Sequence, residues 1–390
     1  MKRFLIAVSI LLSACNCLAD DINDVLRLIE KNNITLQALH HENDALLLDR
    51  KAENAIAGPS IEYTPFYKNG YTGLAESELI VSEEIEFPTK YAARNKQTAL
   101  QKQANEQQYA RMRRDILLEA ELLCLDIIRA NQTLQMLHQR LADSQTLKEM
   151  YEKRMEAGDA NILELNKVKL DCMEVQTLVS EAESERTLLL QQLQQLNGGE
   201  MIEISSIVFP EIEMVKDYES FLHLALASDA DIMMAETNVK SAAQDVAITK
   251  KEWLPNISLG YRRNTEMREQ VNGVLVGLSF PIISNSSKVK AARQRQQSAE
   301  LQLQQARKDA ESSLKARYLQ LTSLQQVLDH SDVEMMKETL GLLAKALQHG
   351  EITSLQYYTE IDNIYEKLQR HIDVHCQSTK LLAELHRNEL

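Results

Sequence analysis

The feature that most constrains this chain is one turn that occurs twice, the second copy lying 192 residues after the first. In the first copy, Gly158 follows a long helical pattern, and Asn161 with Glu164 precedes a shorter one. Glycine permits the left-handed conformation that ends a helix, and Asn followed three residues later by Glu is a capping-box start for the next helix. The same three positions recur as Gly350, Thr353 and Gln356. A repeat of this length indicates a duplicated unit of domain size rather than a solenoid.

Composition predicts that the elements between these turns are few and long. Only 11 glycines and 6 prolines occur among the 390 residues, which is far below average usage. Aromatic residues make up 5% and charged residues 26% of the chain, as expected for extended helical proteins. The net charge of −14 argues against a nucleic acid partner, because a phosphate backbone would be repelled.

Hydrophobic periodicity predicts the same order of elements in both halves of the chain. The first half contains helices at 21–57, with a break near Asn32–Asn33, at 90–157 and at 161–196, and strands at 60–68 and 76–87. The second half contains helices at 217–253, 288–349 and 352–388, and strands at 256–264 and 270–280. Apolar spacings in helix 90–157 alternate between three and four residues, which is typical of a coiled coil.

The domain organisation follows from this duplication. We expect a signal peptide at 1–19, a first helix–strand–strand–helix repeat at 20–199, a linker at 200–216 and a second repeat at 217–390. The predicted fold is mainly α-helical, with long coiled-coil hairpins and a small membrane β-barrel portion.

The strands carry the signal for a membrane. Leu79, Val81 and Ile85 alternate with polar residues in strand 76–87, although Glu83 interrupts the apolar face. Asn69–Gly70 predicts a tight hairpin turn. Strands of roughly 9 to 12 residues fit a tilted bilayer crossing, which needs about 9–11. Four strands cannot close, since a barrel needs about 8 and lipid does not tolerate open edges, so we expect an oligomer to complete the barrel.

The N-terminus predicts export. Lys2–Arg3 precedes an apolar stretch, Phe4–Ala14, that is too short to span a bilayer and fits a cleavable signal peptide. Two processing events compete, namely cleavage after Ala19 and lipidation of Cys15 within a lipobox. From Cys15 to the predicted helix start at 21, the chain reaches at most about 20 Å. This short spacer favours cleavage over lipidation.

The duplicated plan resembles that of the TolC family of outer membrane efflux proteins. The residues that carry the resemblance are the junctions Phe87–Pro88 and Phe280–Pro281 and the tip turns 157–165 and 350–355. The resemblance implies a homotrimer with a 12-stranded barrel in the outer membrane of a Gram-negative-type bacterium and most of its mass in the periplasm. It also implies docking of the tips onto a periplasmic adaptor, which couples to an inner-membrane pump.

The resemblance also implies two sets of functional residues. The adaptor-docking set is Ala157, Gly158, Asp159, Leu163, Gly350, Glu351 and Leu355. Family members carry an acidic ring that gates the tunnel, six and nine residues after the second tip glycine. Those positions are Gln356 and Thr359 here, so the gate candidates also include the nearby Glu351 and Glu360. Leu163 and Leu355 are equally consistent with a place in the hairpin core.

Two function classes remain open from the sequence. The first is a passive outer membrane exit duct of a tripartite efflux or secretion system, and the alternative is a periplasmic coiled-coil scaffold without a conduit. The paired strands of membrane length favour the duct. We expect no enzymatic activity and no cofactor, since the sequence contains no nucleophile–base set, phosphate loop or metal signature. His371 and His375 have the spacing of a metal-binding pair but lack a third ligand, so a solvated helix face is the favoured interpretation.

Overall fold

The computed structural model describes residues 21–70, 72–158, 160–266, 269–280 and 285–390. The predicted signal peptide with Cys15, the docking candidate Asp159 and the junction residue Pro281 lie outside the described residues. Within these ranges the chain forms nine α-helices, four β-strands and one short 3₁₀ helix. Among the described helices, none combines the length and the hydropathy needed to cross a bilayer.

The first repeat follows the predicted order closely. Its elements are α1 (Ile22–Asn32), α2 (Ile34–Glu53), β1 (Ser60–Phe66), β2 (Glu76–Glu86), α3 (Pro88–Glu156) and α4 (Ile162–Leu196). The predicted break between α1 and α2 is present at Asn33, whose side-chain amide donates a 2.8 Å hydrogen bond to the Leu196 carbonyl. The Asn33 backbone is extended, with φ of −65° and ψ of 115°, which ends α1, and this bond holds the residue against the end of α4.

The second repeat has the same order but two additional breaks. Its elements are α5 (Tyr218–Ala227), α6 (Ala230–Lys251), β3 (Asn256–Glu266), β4 (Glu269–Ser279), α7 (Asn285–Asp329), α8 (Val333–Gln348), α9 (Ser354–Leu385) and the 3₁₀ helix Arg387–Glu389.

The predicted continuous helices 217–253 and 288–349 are therefore wrong, and two aspartates explain the breaks. The Asp229 carboxylate accepts from the backbone N–H groups of Asp231 and Ile232 at 3.0 and 3.1 Å, which starts α6. The Asp332 carboxylate accepts from the Met335 N–H at 2.9 Å, which starts α8. An Asp N-cap favours a new helix start over continuation.

The chain divides into two compact units that cut across the repeats. The first, here called the tip unit, contains the described residues up to Ile34 together with 113–221 and 313–390. The second, here called the sheet unit, contains residues 35–112 and 222–312. Both repeats contribute to each unit, so neither repeat is a unit by itself.

The sheet unit contains one antiparallel sheet with the strand order β1-β2-β3-β4. The central pairing of β2 with β3 joins the two repeats, with Val81 opposite Tyr261. β1 and β4 are the edge strands of this sheet within the described residues. Side chains alternate strictly, so that one face is largely apolar and the other carries an ion pair between Glu78 and Arg262.

The connection between β1 and β2 differs from the prediction. Phe66 pairs with Glu76, which leaves a nine-residue loop, two residues longer than predicted, and the predicted turn at Asn69–Gly70 lies within it. Gly70 and Gly73 have φ angles of +85° and +114°. The loop thus contains a second left-handed glycine. The hairpin register is set by the pairing of β1 with β2 and not by the turn alone.

Candidate functional site

The first tip lies in the tip unit, where α3 ends and α4 begins. Gly158 has a φ of +80° and its N–H donates to the Met155 carbonyl at 3.1 Å, which closes α3. The capping box predicted for α4 is present. The Asn161 side chain accepts from the Leu163 N–H at 3.0 Å, and the Glu164 carboxylate accepts from the Asn161 N–H at 3.1 Å.

The second tip repeats this geometry between α8 and α9. Gly350 has a φ of +72°, and the Glu351 N–H donates to the Ala346 carbonyl at 2.9 Å. Together with the bond from the Gly350 N–H to the Leu347 carbonyl at 3.1 Å, this is a Schellman motif. The capping box of α9 pairs Thr353 with Gln356, as the sequence predicts. Both turns are therefore held by their own backbone and capping side chains.

An exposed leucine lies at the same position of each tip. Leu163 is 71% exposed and Leu355 is 69% exposed, each in the first turn of the helix that leaves the tip. The sequence left open whether these side chains lie in the hairpin core, and the structure places both in solvent. Single exposed leucines are common on protein surfaces, so the feature that distinguishes these two is their shared position at both tips.

The tip glycines are surrounded by open space. A Cβ atom added at Gly158 or at Gly350 meets no heavy atom within 4 Å among the described residues. The glycines are therefore required by their positive φ angles and not by close packing. Ala157 and Glu351, which flank the glycines, are exposed as well.

A tyrosine-rich core lies beneath the tips and fixes the two hairpins to each other. Tyr357, Tyr358 and Tyr365 of α9 are buried together with Val168 of α4 and Leu347 of α8. Burial raises the pKa of Tyr357 to about 12 and raises the pKa values of Tyr358 and Tyr365 further. The phenols therefore stay neutral, and the core provides a rigid support for the exposed tips.

The four gate candidates differ in what their side chains do. Gln356 is used by the capping box, since its side-chain oxygen accepts from the Thr353 N–H at 3.0 Å. The Thr359 hydroxyl donates to the Leu355 carbonyl at 2.9 Å within α9. Glu351 and Glu360 are both exposed carboxylates. Of the four, only these two offer a negative charge to a tunnel.

A buried ionic cluster near the tips was missed by sequence reasoning. The Arg140 guanidinium of α3 lies 3.2 Å from the Asp171 carboxylate of α4 and 2.6 Å from the Asp362 carboxylate of α9. The Ser144 hydroxyl donates to Asp171 at 2.7 Å, and the guanidinium lies 4.8 Å from the Tyr365 ring centre. One arginine thus connects three helices of the tip unit. The sequence did not mark Arg140 as buried, because it lies between the apolar seam positions Leu137 and Leu141.

Solved structures with this architecture are outer membrane channels. The chain matches VceC of Vibrio cholerae, an outer membrane protein, with a TM-score of 0.75 and 16% identity over 94% of this chain and 95% of that one. It matches CmeC of Campylobacter jejuni, an outer membrane channel, with a TM-score of 0.77 and 14% identity over 94% and 85%. A membrane protein from Pseudomonas aeruginosa gives a TM-score of 0.80 and 16% identity over 95% and 90%. The fold is therefore that of an outer membrane channel protomer.

The sequence also matches a protein family over most of its second half. Residues 221–387 match the model of the outer membrane efflux protein family. No curated protein matches the sequence. The family match over residues 221–387 and the shared fold confirm the predicted resemblance to outer membrane efflux proteins. The chain is the channel component of a tripartite efflux system. It is located in the outer membrane, with a large helical part in the periplasm. The scaffold alternative is not supported.

The same family match bears on catalysis and on partners. The family is one of channel proteins rather than enzymes. Channels of this family imply trimeric assembly and docking with an adaptor and a pump.

Proposed function

We propose that three copies of this chain form a passive exit duct, and that both tips of each copy bind a periplasmic adaptor. The observation that carries the proposal is the matched pair of exposed leucines, Leu163 and Leu355, in two rigid turns of the same geometry. The duct takes its cargo from the inner-membrane pump with which the adaptor connects it.

The sheet supports the trimer. β1 and β4 each have a strand edge that no described residue pairs, and such an edge is not tolerated in lipid. Three copies supply twelve strands, which exceeds the minimum of about 8 for a barrel. The apolar face fits the outside of the barrel, because Val274, Val276 and Leu278 on β4 are strongly exposed. The face with Glu78 and Arg262 then lines the lumen.

The tips support adaptor binding through their construction. Leu163 and Leu355 are apolar anchors, and interface energy concentrates in a few such side chains at the centre of a contact. The capping boxes and the tyrosine core hold them in place before any partner arrives, so little conformational entropy is lost on binding. Six tips in the trimer, two from each copy, present six such anchors. We assign the rest of the docking surface to the neighbouring tip residues Ala157, Gly158, Gly350 and Glu351.

The exposed carboxylates support a revised gate. We place the negative charge of the gate on Glu351 and Glu360, since Gln356 and Thr359 are neutral and hydrogen-bonded within their own turn. Three copies bring two rings of three carboxylates to the tunnel end. Like charges at close range repel, so these rings attract cations and resist complete closure.

The decisive experiment replaces the anchors and leaves the turns intact. Leu163→Ala with Leu355→Ala should abolish export and adaptor crosslinking, while the trimer and its insertion into the outer membrane are retained. The matched control is Leu188→Ala, which removes an equally exposed leucine of α4 away from the tips. Wild-type export and adaptor crosslinking in the double variant would exclude the docking role.

A further inference from the structure

We propose that a cleft in the tip unit binds a soft monovalent metal ion of the Cu(I) and Ag(I) class through His371 and His375. The two side chains lie one turn apart on α9. Their ring centres are 6.1 Å apart and the ring planes differ by 58°. Neither histidine belongs to the adaptor-docking residues or to the gate candidates.

The spacing of the two rings suits a single bridging ion. A bond from a histidine nitrogen to a metal measures about 2.0–2.1 Å, and a ring nitrogen lies roughly 1.2 Å from its ring centre, so an ion in line between two imidazoles separates the centres by roughly 6.5 Å. The observed 6.1 Å lies within this reach, so the two rings can share one ion when a nitrogen of each turns toward it. Such an arrangement suits a metal that accepts few ligands.

The two histidines line a cleft of about 500 Å³ between α3, α8, α9 and the linker residue Ile207. The lining also includes Met136, whose thioether is a soft ligand, and Lys337. No carboxylate belongs to this lining, and the described residues hold no group of three His, Cys, Asp or Glu side chains arranged for a metal. The soft donor that this lining adds to the two imidazoles is the Met136 sulfur.

The state of the imidazoles favours coordination. His371 Nδ1 is buried, and no group among the described residues forms a hydrogen bond with it. His375 is held by an edge contact with Phe209, with ring centres 4.7 Å apart.

The chemistry of the lining selects the class of metal. Imidazole and thioether ligands suit soft ions, whereas carboxylate and carbonyl oxygens suit Mg²⁺ and Ca²⁺. Lys337 adds a positive charge to the cleft, which disfavours a divalent ion more than a monovalent one. The other histidine pair, His40 and His41, has ring centres 5.9 Å apart and ring planes that differ by only 24°. These two rings stack, so their nitrogen lone pairs, which lie in the ring planes, do not converge on one ion.

The test uses Ag⁺, because silver remains monovalent without a reductant. The protein is the detergent-purified full chain carrying Cys15→Ser, Cys17→Ser and Cys172→Ser. These thiols would compete for silver, since Cys172 is half-buried, whereas Cys124 and Cys376 are buried. We expect one Ag⁺ per chain by calorimetry with a competing chelator. His371→Ala and His375→Ala should each weaken binding at least tenfold, and Met136→Leu should weaken it by a smaller factor.

Three controls make the outcome decisive. His138→Ala removes an exposed histidine of α3 and should leave silver binding unchanged. Zn²⁺ should bind at least tenfold more weakly than Ag⁺. In the same cysteine-substituted protein, silver should protect His371 and His375, but not His138, from carbethoxylation by diethyl pyrocarbonate. This measurement keeps both histidines in place, so it does not depend on whether a histidine variant folds. Unchanged silver affinity in both histidine variants, equal affinity for Zn²⁺, or unprotected His371 and His375 would overturn the proposal.

Discussion

Arg140 of α3 and Asp171 of α4 form an ion pair of 3.2 Å across the first hairpin, with both side chains almost completely buried. A buried charge that loses its partner is costly, because its desolvation is no longer compensated. The pair is shared with Asp362, whose side chain is more than half exposed. The buried Asp171 should therefore matter far more than the exposed Asp362.

Replacing Asp171 with Ala should lower the free energy of unfolding by about 2–4 kcal/mol. Replacing Asp362 with Ala should cost about 1 kcal/mol or less, since an exposed ion pair contributes little. Chemical denaturation followed by circular dichroism measures both. Equal effects of the two substitutions would contradict the burial argument.

The tip glycines should be sensitive to a single methyl group. Gly158→Ala and Gly350→Ala should each destabilise the tip by about 1–2 kcal/mol, because a Cβ atom is disfavoured at positive φ. Gly341 lies inside α8, where an added Cβ also meets open space, so Gly341→Ala should stabilise by about 0.5–1 kcal/mol. Hydrogen exchange of the tip amides measures the differences.

A bulkier residue at the same positions tests docking as well as folding. Gly158→Trp and Gly350→Trp should abolish export, since the added side chain extends into the space that a partner occupies, while trimer and barrel are retained. Export and trimer content can be measured on the same cells. Wild-type export in both variants would show that no partner approaches the glycines.

Glu121 of α3 should give a pH-dependent stability. Burial raises the pKa of this carboxyl above its usual value of 4.5, and the nearby His386 opposes the shift only in part. The folded state therefore binds the proton more tightly than the unfolded state, and its contribution to stability is lost as the pH rises through the raised pKa. Glu121→Gln should raise the melting temperature at pH 7 and give no such gain below pH 4.5.

The matched control for Glu121 is a neighbouring glutamate on the same helix. Glu119 is exposed, so Glu119→Gln should leave the melting temperature almost unchanged at both pH values. An equal increase in the melting temperature of the two variants at pH 7 would show that the loss of one negative charge, and not the burial of Glu121, causes the effect.

The edge strands should crosslink between copies. Cysteine substitutions at Ile61 of β1 and Val274 of β4 place thiols on the two unpaired edges. Oxidation of membranes that contain the double variant should yield a covalent trimer on denaturing gels, and single variants should yield none. Recovery of monomers alone from a panel of such edge pairs would contradict the trimer.

The intact mass of the mature protein decides how the N-terminus is processed. Cleavage after Ala19 gives a chain that begins at Asp20 without an adduct, as the short spacer before α1 predicts. A mass that corresponds to acylated Cys15 would show that lipidation prevails.

Local chemistry made much of the fold predictable from the sequence. The capping residues Asn161 and Thr353 determine the tips within a few positions of the chain, and strict alternation determines the strands. The breaks at Asp229 and Asp332 were missed because the apolar periodicity continues across them. Only the hydrogen bonds of those two aspartates show that each starts a new helix.

Contacts that are distant in sequence were beyond the same reasoning. Arg140 meets Asp362 across 222 positions, and no local pattern pairs them. The exposure of Leu163 and Leu355 was likewise undetermined, because a leucine in the first turn of a helix fits either a core or a surface. The packing of α3 with α4 decides for Leu163, and the packing of α8 with α9 decides for Leu355.

The strand order of the sheet determines which strands of the two repeats are neighbours. β2 is the second strand of the first repeat, and it pairs along its whole length with β3, the first strand of the second repeat. In a ring of copies, β4 of one protomer meets β1 of the next, which is again a second strand beside a first strand. The seam between subunits is then a copy of the seam inside each subunit. A ring of three such chains then has six seams of one kind, and the internal seam gives the template for the external one.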